Sequence, residues 1–355
     1  MEPQIVVDIE FTERTESGVL RHPVFRGQRE DKTAREITMT NRPRASEPSS
    51  RIDKPDNQPL VADVPITHPE RLLYPDQGIT KADVAQFYED IGQWILPHLN
   101  DRPLSLLRCP DGLAGECFFQ KHPDKNFAKD VPRVAIPEKS GGYSDYVYLN
   151  SVTELVWLVQ FGVLEFHPWG CRIDDLERPD TLIFDLDPDP DLPWKVIADT
   201  ATGLRERLTT LGLTSFLQAT GGKGLHLIVP ITPKLDWDKV KAFAQAVSQA
   251  HAGDSPKTLT TNMSKSKRKG KVFIDYLRNG RGSTSIARYS TRANAHATVA
   301  TPLRWDELSR GASSNRYTVT NLRRRLSALK ADPWESYEEA RAPITRTTLK
   351  RVNLE

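Results

Sequence analysis

The chain has 355 residues, of which 38% are hydrophobic and 27% charged, with a formal net charge of +2. This composition fits one large or two ordinary globular domains. No apolar run reaches the roughly 20 residues of a membrane helix, and the first residues lack the regions of a secretory signal. Three cysteines, Cys109, Cys117 and Cys171, show no zinc-site or disulfide spacing. We therefore expect no membrane association and a reducing, cytoplasmic location.

The N-terminal residues 1–36 alternate polar and apolar positions, which predicts a β-hairpin too small to bury a core alone. Residues 37–62 are rich in Pro, Ser, Asn, Asp and Arg, as expected of a linker. A compact region begins near Asp63.

Helices and strands then follow one another along the compact region. Thr80 is placed to cap a helix, and Ser151–Phe161 repeats this pattern of a hydroxyl cap before helical apolar spacing. Further helices are predicted at Trp194–Thr209, Trp237–His251 and Leu322–Lys330. The spacing favours an antiparallel or mixed sheet and the α+β class, with strands at Leu104–Arg108, Tyr146–Leu149, Thr181–Asp185, Ser215–Ala219, Leu225–Val229, Val272–Tyr276 and Thr284–Ala287.

An Asp-x-Asp pair ends one of these strands. Asp185 and Asp187 are two residues apart after an apolar run, so their side chains share a face. Adjacent carboxylates repel each other unless they are protonated or bridged by cations. The pair is equally consistent with a solvated acidic turn and with an all-oxygen site for Mg²⁺ or Mn²⁺.

A glycine-rich loop, Thr220–His226, joins the two strands that follow. Its glycines allow backbone N–H groups to converge on an anion, and Lys223 adds a positive charge. A tight hairpin explains the glycines equally well. His226 lies two residues beyond the last glycine. A single histidine at such a position could be catalytic, but a structural role is commoner.

A third carboxylate, Asp275, lies inside a later apolar strand, where an unpaired charge is costly. It either pairs with a basic residue or completes the acidic site, and three such carboxylates suit two cations about 3.5–4 Å apart. The surrounding segment is strongly basic, which fits phosphate binding, although its first part also fits a solvated loop. The basic residues are Lys265, Lys267, Arg268, Lys269, Lys271, Arg278, Arg281, Arg288 and Arg292.

Further candidates lie earlier in the chain. In an extended segment, adjacent Phe118 and Phe119 cannot both face one core, and an exposed ring beside Lys121 would suit base stacking. Core packing remains the simpler alternative. His68, Arg71 and Lys81 could form an anion pocket, or they could be ordinary surface charges. A last candidate is His167, which by itself fits a histidine packed in the core.

Taken together, these segments resemble the polymerase domain of bacterial ligase D, in the archaeo-eukaryotic primase superfamily. The resemblance covers roughly residues 63–340 and leaves 341–355 as a tail. The matching segments, in order, are His68-Pro-Glu-Arg-Leu-Leu-Tyr-Pro, Arg108-Cys-Pro-Asp-Gly, Cys117-Phe-Phe-Gln-Lys-His, Phe166-His-Pro-Trp, Phe184-Asp-Leu-Asp-Pro, Gly221-Gly-Lys-Gly-Leu-His, Asp275-Tyr-Leu-Arg-Asn and Tyr289-Ser-Thr-Arg292.

The resemblance implies a primase-polymerase fold and nucleotidyl transfer from NTPs or dNTPs to 3′ ends in non-homologous end joining. It makes Asp185, Asp187 and Asp275 the ligands of two Mn²⁺ or Mg²⁺ ions. It assigns contacts with the nucleotide to His167, Thr220, Lys223, His226, Arg278 and Arg292. It assigns contacts with DNA to Phe118, Phe119 and Lys121. It places His68, Arg71 and Lys81 at the 5′-phosphate of the downstream strand. Contact with the end-binding protein Ku stays open.

Residues 1–36 are similar to the end of the OB-fold of an ATP-dependent DNA ligase, through Arg21-His-Pro-Val-Phe-Arg-Gly-Gln-Arg-Glu-Asp-Lys32. The chain has no K-x-D-G motif for an adenylated lysine, so we expect no ligase activity from it. It resembles part of a longer protein ordered ligase then polymerase. Two other functions stay open, an inactive DNA-end-binding module and a two-metal nuclease or phosphoesterase.

Overall fold

The computed structural model describes residues 58–124, 127–138 and 140–354, together with the backbone of four strands near the N-terminus. These four are β1 (Val6–Glu10), β2 (Glu13–Arg14), β3 (Leu20–Arg21) and β4 (Val24–Arg29). β2 pairs with β3 in the predicted hairpin, and β1 pairs with β4 outside it. Of the predicted linker, 37–62, residues 37–57 lie outside the described residues.

The second compact unit spans Asn57–Glu355 and contains seven helices among its described residues. They are α1 (Lys81–Asp90), α2 (Gly92–Leu99), α3 (Val152–Gln160), α4 (Trp194–Thr210), α5 (Trp237–Asp254), α6 (Leu322–Ala328) and α7 (Arg346–Lys350). Thr80 and Ser151 form capping boxes with Asp83 and Glu154, which confirms both predicted helix starts.

Fifteen further strands are described in this unit. The first nine are β5 (Leu60–Val61), β6 (Val64–Pro65), β7 (Leu72–Tyr74), β8 (Ile79–Thr80), β9 (Leu104–Arg108), β10 (Phe118–Gln120), β11 (Arg133–Pro137), β12 (Tyr143–Val147) and β13 (Val163–Pro168). The remaining six are β14 (Thr181–Pro188), β15 (Phe216–Ala219), β16 (Leu225–Pro230), β17 (Leu259–Thr260), β18 (Val272–Asp275) and β19 (Thr301–Leu303).

The last six strands form one mixed sheet in the order β17-β18-β14-β16-β15-β19, in which only β17 and β18 run parallel. Helices α4 and α5 bury their apolar side chains against this sheet, while α1, α2 and α3 surround a second core with the sheet β10-β9-β13. This arrangement confirms the predicted α+β class and mixed central sheet.

Three expectations need correction. β14 continues to Pro188, so Asp187, which the predicted strand Thr181–Asp185 leaves out, also lies within the strand. Residues 284–287 form no strand, since Thr284 makes only an isolated bridge with Trp169. Cys109 and Cys117 form a disulfide that closes the loop between β9 and β10. The eight-residue spacing hid this bond because the antiparallel pairing of those strands brings the two cysteines together.

The segment that was assigned to a C-terminal tail packs into the large core. Ile344 and Leu349 are buried against the sheet and its helices, and the backbone of Ala342 bonds to that of Pro230 and Thr232. None of the helices in the described ranges combines the length and apolar composition needed to cross a membrane.

Candidate active site

The register of the central sheet brings the predicted carboxylates together. Asp185 on β14 stands directly opposite Asp275 on β18 and opposite His226 on β16. Directly opposed residues of neighbouring strands project from the same face of a sheet. Asp187, two residues further along β14, shares that face. Side chains from three strands therefore form one polar row.

Arg278 partly neutralises this row, and His226 adjoins it. Arg278 follows β18, and its Nε lies 3.4 Å from Asp185 Oδ2 and 3.5 Å from Asp275 Oδ2. His226 Nε2 lies 3.4 Å from Asp185 Oδ1. Burial acts to raise the pKa of Asp185, but the charges of His226 and Arg278 outweigh it and lower that pKa. Asp185 is thus held ionised at the centre of the row.

The other two carboxylates are less fully compensated. Burial and the neighbouring Asp185 raise the pKa of Asp187, whose nearest cation, Arg268, lies 3.8 Å away. Burial also raises the pKa of Asp275, despite hydrogen bonding from the Leu277 backbone N–H. Asp275 shares Arg278 with Asp185, and Asp187 has only the more distant Arg268, so the charged form of neither is stabilised as strongly as that of Asp185.

This donor set fits divalent cations. All its oxygens are carboxylate, the ligand type that Mg²⁺ and Mn²⁺ prefer, and an added cation would relieve the repulsion at Asp187 and Asp275. Within the described ranges, no three His, Cys, Asp or Glu side chains form a ready-made metal site. Arg278 instead stands between Asp185 and Asp275.

The row opens into a cavity of about 520 Å³. The cavity gathers most of the predicted nucleotide residues beside two of the aspartates. Its lining includes Phe119, His167, Asp185, Asp187, Thr220, Lys223, His226, Arg278 and Arg292.

The glycine loop between β15 and β16 forms one wall of this cavity. A Cβ at Gly224 would lie 2.3 Å from the Leu186 carbonyl oxygen, so only glycine allows the loop to approach β14 this closely. A side chain at Gly221 would collide with Arg292, and Gly221 also has a positive φ of 72°. Thr220 Oγ1 donates to the Gly224 carbonyl at 3.0 Å. The glycines therefore set the hairpin and bring Arg292 and Asp187 close to Lys223.

Glu165 was not among the predicted site residues, yet it lines the same cavity. It is buried on β13, where its Oε2 lies 2.8 Å from His167 Nε2 and its Oε1 lies 3.1 Å from Arg292 Nε. Burial acts to raise the pKa of Glu165, but the bond from His167 and the charge of Arg292 lower it. Burial lowers the pKa of His167. In the sequence, Glu165 and His167 are two residues apart in an apolar strand, and this spacing could have indicated that their side chains share one face.

Gln218 is a second residue that the sequence did not indicate. It lies on β15 directly opposite His226, fully buried, and its Nε2 donates to the Ile286 carbonyl oxygen. Among the described atoms, Gln218 Oε1 and His226 Nδ1 have no hydrogen-bond partner. The polar row thus continues from Asp275 through Asp185 and His226 to Gln218.

The adjacent phenylalanines are both exposed, with 42% of Phe118 and 62% of Phe119 accessible. Phe119 stands edge-on to His167 at the cavity, with ring centroids 5.3 Å apart, and Arg108 packs over Phe118. Core packing is therefore wrong for both rings. Lys121 follows in an exposed turn.

The three basic residues near the front of the chain are held by different contacts. Lys81 is buried at the start of α1, and its Nζ donates to the Thr67 carbonyl at 2.9 Å. Arg71 donates to the Pro110 carbonyl and pairs with Asp111 at 3.2 Å. Burial, and then the charge of Arg71, lower the pKa of Lys81 to about 8. His68 is exposed and has a positive φ of 51°.

Comparison with known families matches two parts of the chain. Residues 80–334 match the model of the LigD primase-polymerase domain, and residues 1–32 match that of the ATP-dependent DNA ligase C-terminal region.

Relatives and a solved structure agree with these matches. The multifunctional non-homologous end joining protein LigD of Pseudomonas aeruginosa is 38% identical over 99% of this chain and 42% of its own length. The protein of that name from Mycolicibacterium smegmatis is 37% identical over 69% of this chain and 32% of its own length. The chain thus spans less than half the length of these relatives.

The solved structure is the polymerase domain from Mycobacterium tuberculosis ligase D in complex with DNA. It superposes with a TM-score of 0.72 at 29% identity and covers 80% of this chain and 99% of its own. Because the family model covers most of the chain and includes all three aspartates, the chain belongs to the LigD primase-polymerase domain family.

Proposed function

We propose that this chain is a primase-type nucleotidyltransferase that adds NTPs or dNTPs to 3′ ends at DNA breaks and gaps in bacterial non-homologous end joining. One observation carries the proposal: a row of carboxylates and a set of cationic side chains face one cavity. Nucleotidyl transfer needs both, since cations at the carboxylates and basic groups at the phosphates act on the same reacting centre. The names of the relatives support this biological role.

In this proposal Asp185, Asp187 and Asp275 hold two divalent cations, Mn²⁺ or Mg²⁺. Such cations supply charge stabilisation at the reacting phosphate oxygens and make the 3′-hydroxyl easier to deprotonate. Arg278, which stands between Asp185 and Asp275, is free to turn from these carboxylates toward phosphate when their charge is neutralised otherwise.

The cationic residues act on the triphosphate. Lys223, Arg278 and Arg292 line the cavity and place positive charge where pyrophosphate leaves. His167, Thr220 and His226 orient the nucleotide, and Glu165 fixes the orientation of His167 and Arg292 through its two contacts. A nuclease would need no comparable set of cations for a departing pyrophosphate.

The test is extension of a 5′-phosphorylated gap with Mn²⁺ and NTPs or dNTPs, with strand degradation measured in the same reactions. Wild type should extend the primer and Asp187→Ala should not, while the control Asp191→Ala, an exposed carboxylate nearby, should extend normally. Extension that survives Asp187→Ala would refute the metal-ligand role. Degradation without extension would favour a nuclease, and binding without either reaction an inactive module.

We further propose that Phe118 and Phe119 stack on template bases and that Lys121 contacts the backbone. Exposed aromatic rings beside a cation are the usual platform for unpaired bases, and the DNA complex of the solved relative makes DNA a plausible ligand class here. Replacing Phe119 by Ala should weaken binding to a gapped duplex more than replacing Tyr143, an even more exposed ring on β12.

Arg71 and Lys81, with His68 nearby, are proposed to hold a downstream 5′-phosphate. Lys81→Ala should weaken binding to 5′-phosphorylated gaps more than to unphosphorylated ones, because only the former present the dianion. Fluorescence anisotropy with the two duplexes measures this difference, which cancels any general loss of folded protein. Equal losses with both duplexes would argue against a phosphate pocket.

The remaining parts of the proposal concern location and partners. We place the protein in the bacterial cytoplasm at the nucleoid, with the other part of a longer ligase as its covalent neighbour and Ku as a partner to be tested. We propose no ligase activity for this chain, and lysine adenylation on incubation with ATP would contradict that.

A further inference from the structure

A second cavity, of about 640 Å³, shares no lining residue with the catalytic one. Helix α2 forms one side of it through Trp94 and His98, and the segment from Asp332 to Glu338 forms the other. Nothing in the proposed polymerase reaction uses these residues.

The inner wall of this cavity is aromatic. Trp334 and Tyr337 stack on each other at 5.5 Å, and His98 meets Trp334 edge-on at 5.8 Å. Trp94 is half-buried at the same cavity. The guanidinium of buried Arg288 already packs over Trp334 and Tyr337, 5.1 and 5.4 Å from their ring centroids, so Trp94 is the ring left for an external cation.

The lining is acidic overall, with four acids against one base, Arg172, which already lies 3.5 Å from Asp180 and 4.0 Å from Glu338. Asp332 accepts hydrogen bonds from the Tyr289 hydroxyl and the Trp334 N–H, but it makes no ion pair within the described part of the chain. Glu335 is exposed, and its side chain has no partner among the described residues. Burial raises the pKa of Asp332, and the charge of Glu335 raises it further. By contrast, Glu338 is already paired with Arg341 at 2.6 Å.

A buried polar group supplies an independent sign of a ligand. His98 is 9% exposed, lines the cavity and makes no hydrogen bond to any described atom. Burial, and then Arg288, lower its pKa well below the usual range, so the imidazole is neutral and offers a nitrogen acceptor. Neither ring nitrogen belongs to the fully buried unpartnered atoms of the described residues, so a ligand in the cavity can reach them.

We propose that this cavity binds an arginine side chain of a partner polypeptide. Its planar guanidinium would stack on Trp94, donate to the carboxylates of Asp332 and Glu335, and reach the free nitrogen of His98. The acidic rim repels nucleic acid, which separates this site from the basic surfaces assigned to DNA. The volume exceeds that of one guanidinium and leaves room for the flanking peptide.

The test uses the full chain and the peptide acetyl-Gly-Gly-Arg-Gly-Gly-amide at low salt. Binding is followed by NMR shifts of the indole N–H signals of the seven tryptophans, with Trp94→Phe identifying the signal of Trp94. The expected Kd is on the order of 1 mM, since a single side chain is being bound. The matched control peptide carries citrulline, which keeps the shape of arginine but has no charge.

The arginine peptide should shift the signals of Trp94 and Trp334, and citrulline should bind at least tenfold more weakly. Glu335→Gln should weaken binding about threefold or more, whereas Glu339→Gln, an exposed acid outside the cavity, should leave it unchanged. Gap extension by Glu335→Gln should match wild type, so failure of this inference and failure of the polymerase proposal are distinguishable.

Equal binding of the citrulline peptide, or no shift at either tryptophan, would overturn the site. Binding that is insensitive to Glu335→Gln would overturn the charge argument on which the occupant rests. Spermidine shifting the same signals as tightly as the arginine peptide would overturn the polypeptide assignment and make the site one for a free polyamine.

Discussion

The two ends of β14 carry aspartates in opposite electrostatic situations. Just before the strand, buried Asp180 forms two hydrogen bonds of 2.7 Å with Arg102, and Arg172 and Arg341 lie 3.5 and 3.7 Å away. At the other end, Asp187 has a single cation at 3.8 Å. One carboxylate is surrounded by arginines of its own chain, and the other is left short of positive charge.

Their pKa values show the consequence. Burial acts to raise the pKa of Asp180, but the charge of Arg102 and the bonds from it lower that pKa to about 2. Burial and Asp185 instead raise the pKa of Asp187. A carboxylate neutralised within the chain contributes to structure, whereas one that is not neutralised is available for an external cation. The comparison predicts separate effects on stability and on activity.

The largest effect is expected at the under-neutralised end. Asp187→Asn should reduce gap extension by at least about 10⁴-fold, the loss typical of removing a catalytic side chain. Its melting temperature without added metal should stay the same or rise, because one repelling charge is gone. Primer extension and calorimetry on the same preparation measure both, and a Tm lowered by several degrees would contradict the comparison.

The opposite outcome is expected at the other end. Asp180→Asn leaves Arg102 buried without its counter-charge, which should cost about 3–5 kcal/mol in the free energy of unfolding. Urea denaturation measures the loss. The folded variant should keep its metal-dependent extension under conditions where it is fully native, and a loss below about 1 kcal/mol would show that Asp180 is not a structural anchor.

A pH titration sharpens the same contrast. The pKa of Asp180 is about 2 in the folded protein against its ordinary value of 3.8, so its stabilisation is present above pH 3.8 and is lost as pH falls toward 2. The full contribution is about 2 kcal/mol, since each pKa unit corresponds to about 1.4 kcal/mol. Between pH 5 and 3, wild type should lose stability more steeply than Asp180→Asn, and parallel slopes would refute the assignment.

The sequence predicted the local features of β14 and of two helix starts correctly. Alternation along a short strand placed Asp185 and Asp187 on one face, and hydroxyl residues before helical spacing located the starts of α1 and α3. Each of these features depends on residues within a few positions of one another, which is why a linear pattern is sufficient to recognise them.

Features that depend on distant parts of the chain were not predicted. Asp180 was one of several acids around the Asp-x-Asp pair, and its partner Arg102 lies 78 residues away. The residues at 284–287 have a strand-like composition, but their backbone makes only an isolated bridge from Thr284 to Trp169 and one bond from the Ala287 N–H to the Phe166 carbonyl, which is too little to form a strand. Tertiary packing decides both outcomes, so local pattern could not separate Asp180 from Asp187.

Glu165 represents a third case between these two extremes. Its charge is balanced, like that of Asp180, but its partners His167 and Arg292 line the catalytic cavity. Glu165→Gln keeps the shape of the side chain and removes the charge that holds both partners. We therefore expect a positioning effect, with a rise in KM for the incoming nucleotide larger than the fall in kcat.

The expected loss in kcat/KM for Glu165→Gln is about tenfold, since displaced contact groups cost less than missing ones. Steady-state extension at varied NTP concentration measures it, with Glu177→Gln as control because that exposed residue loses an ion pair to Arg281 outside the cavity. The control should stay within twofold of wild type. If Glu165→Gln lowered only the melting temperature and left KM unchanged, Glu165 would belong with Asp180 as a purely structural carboxylate.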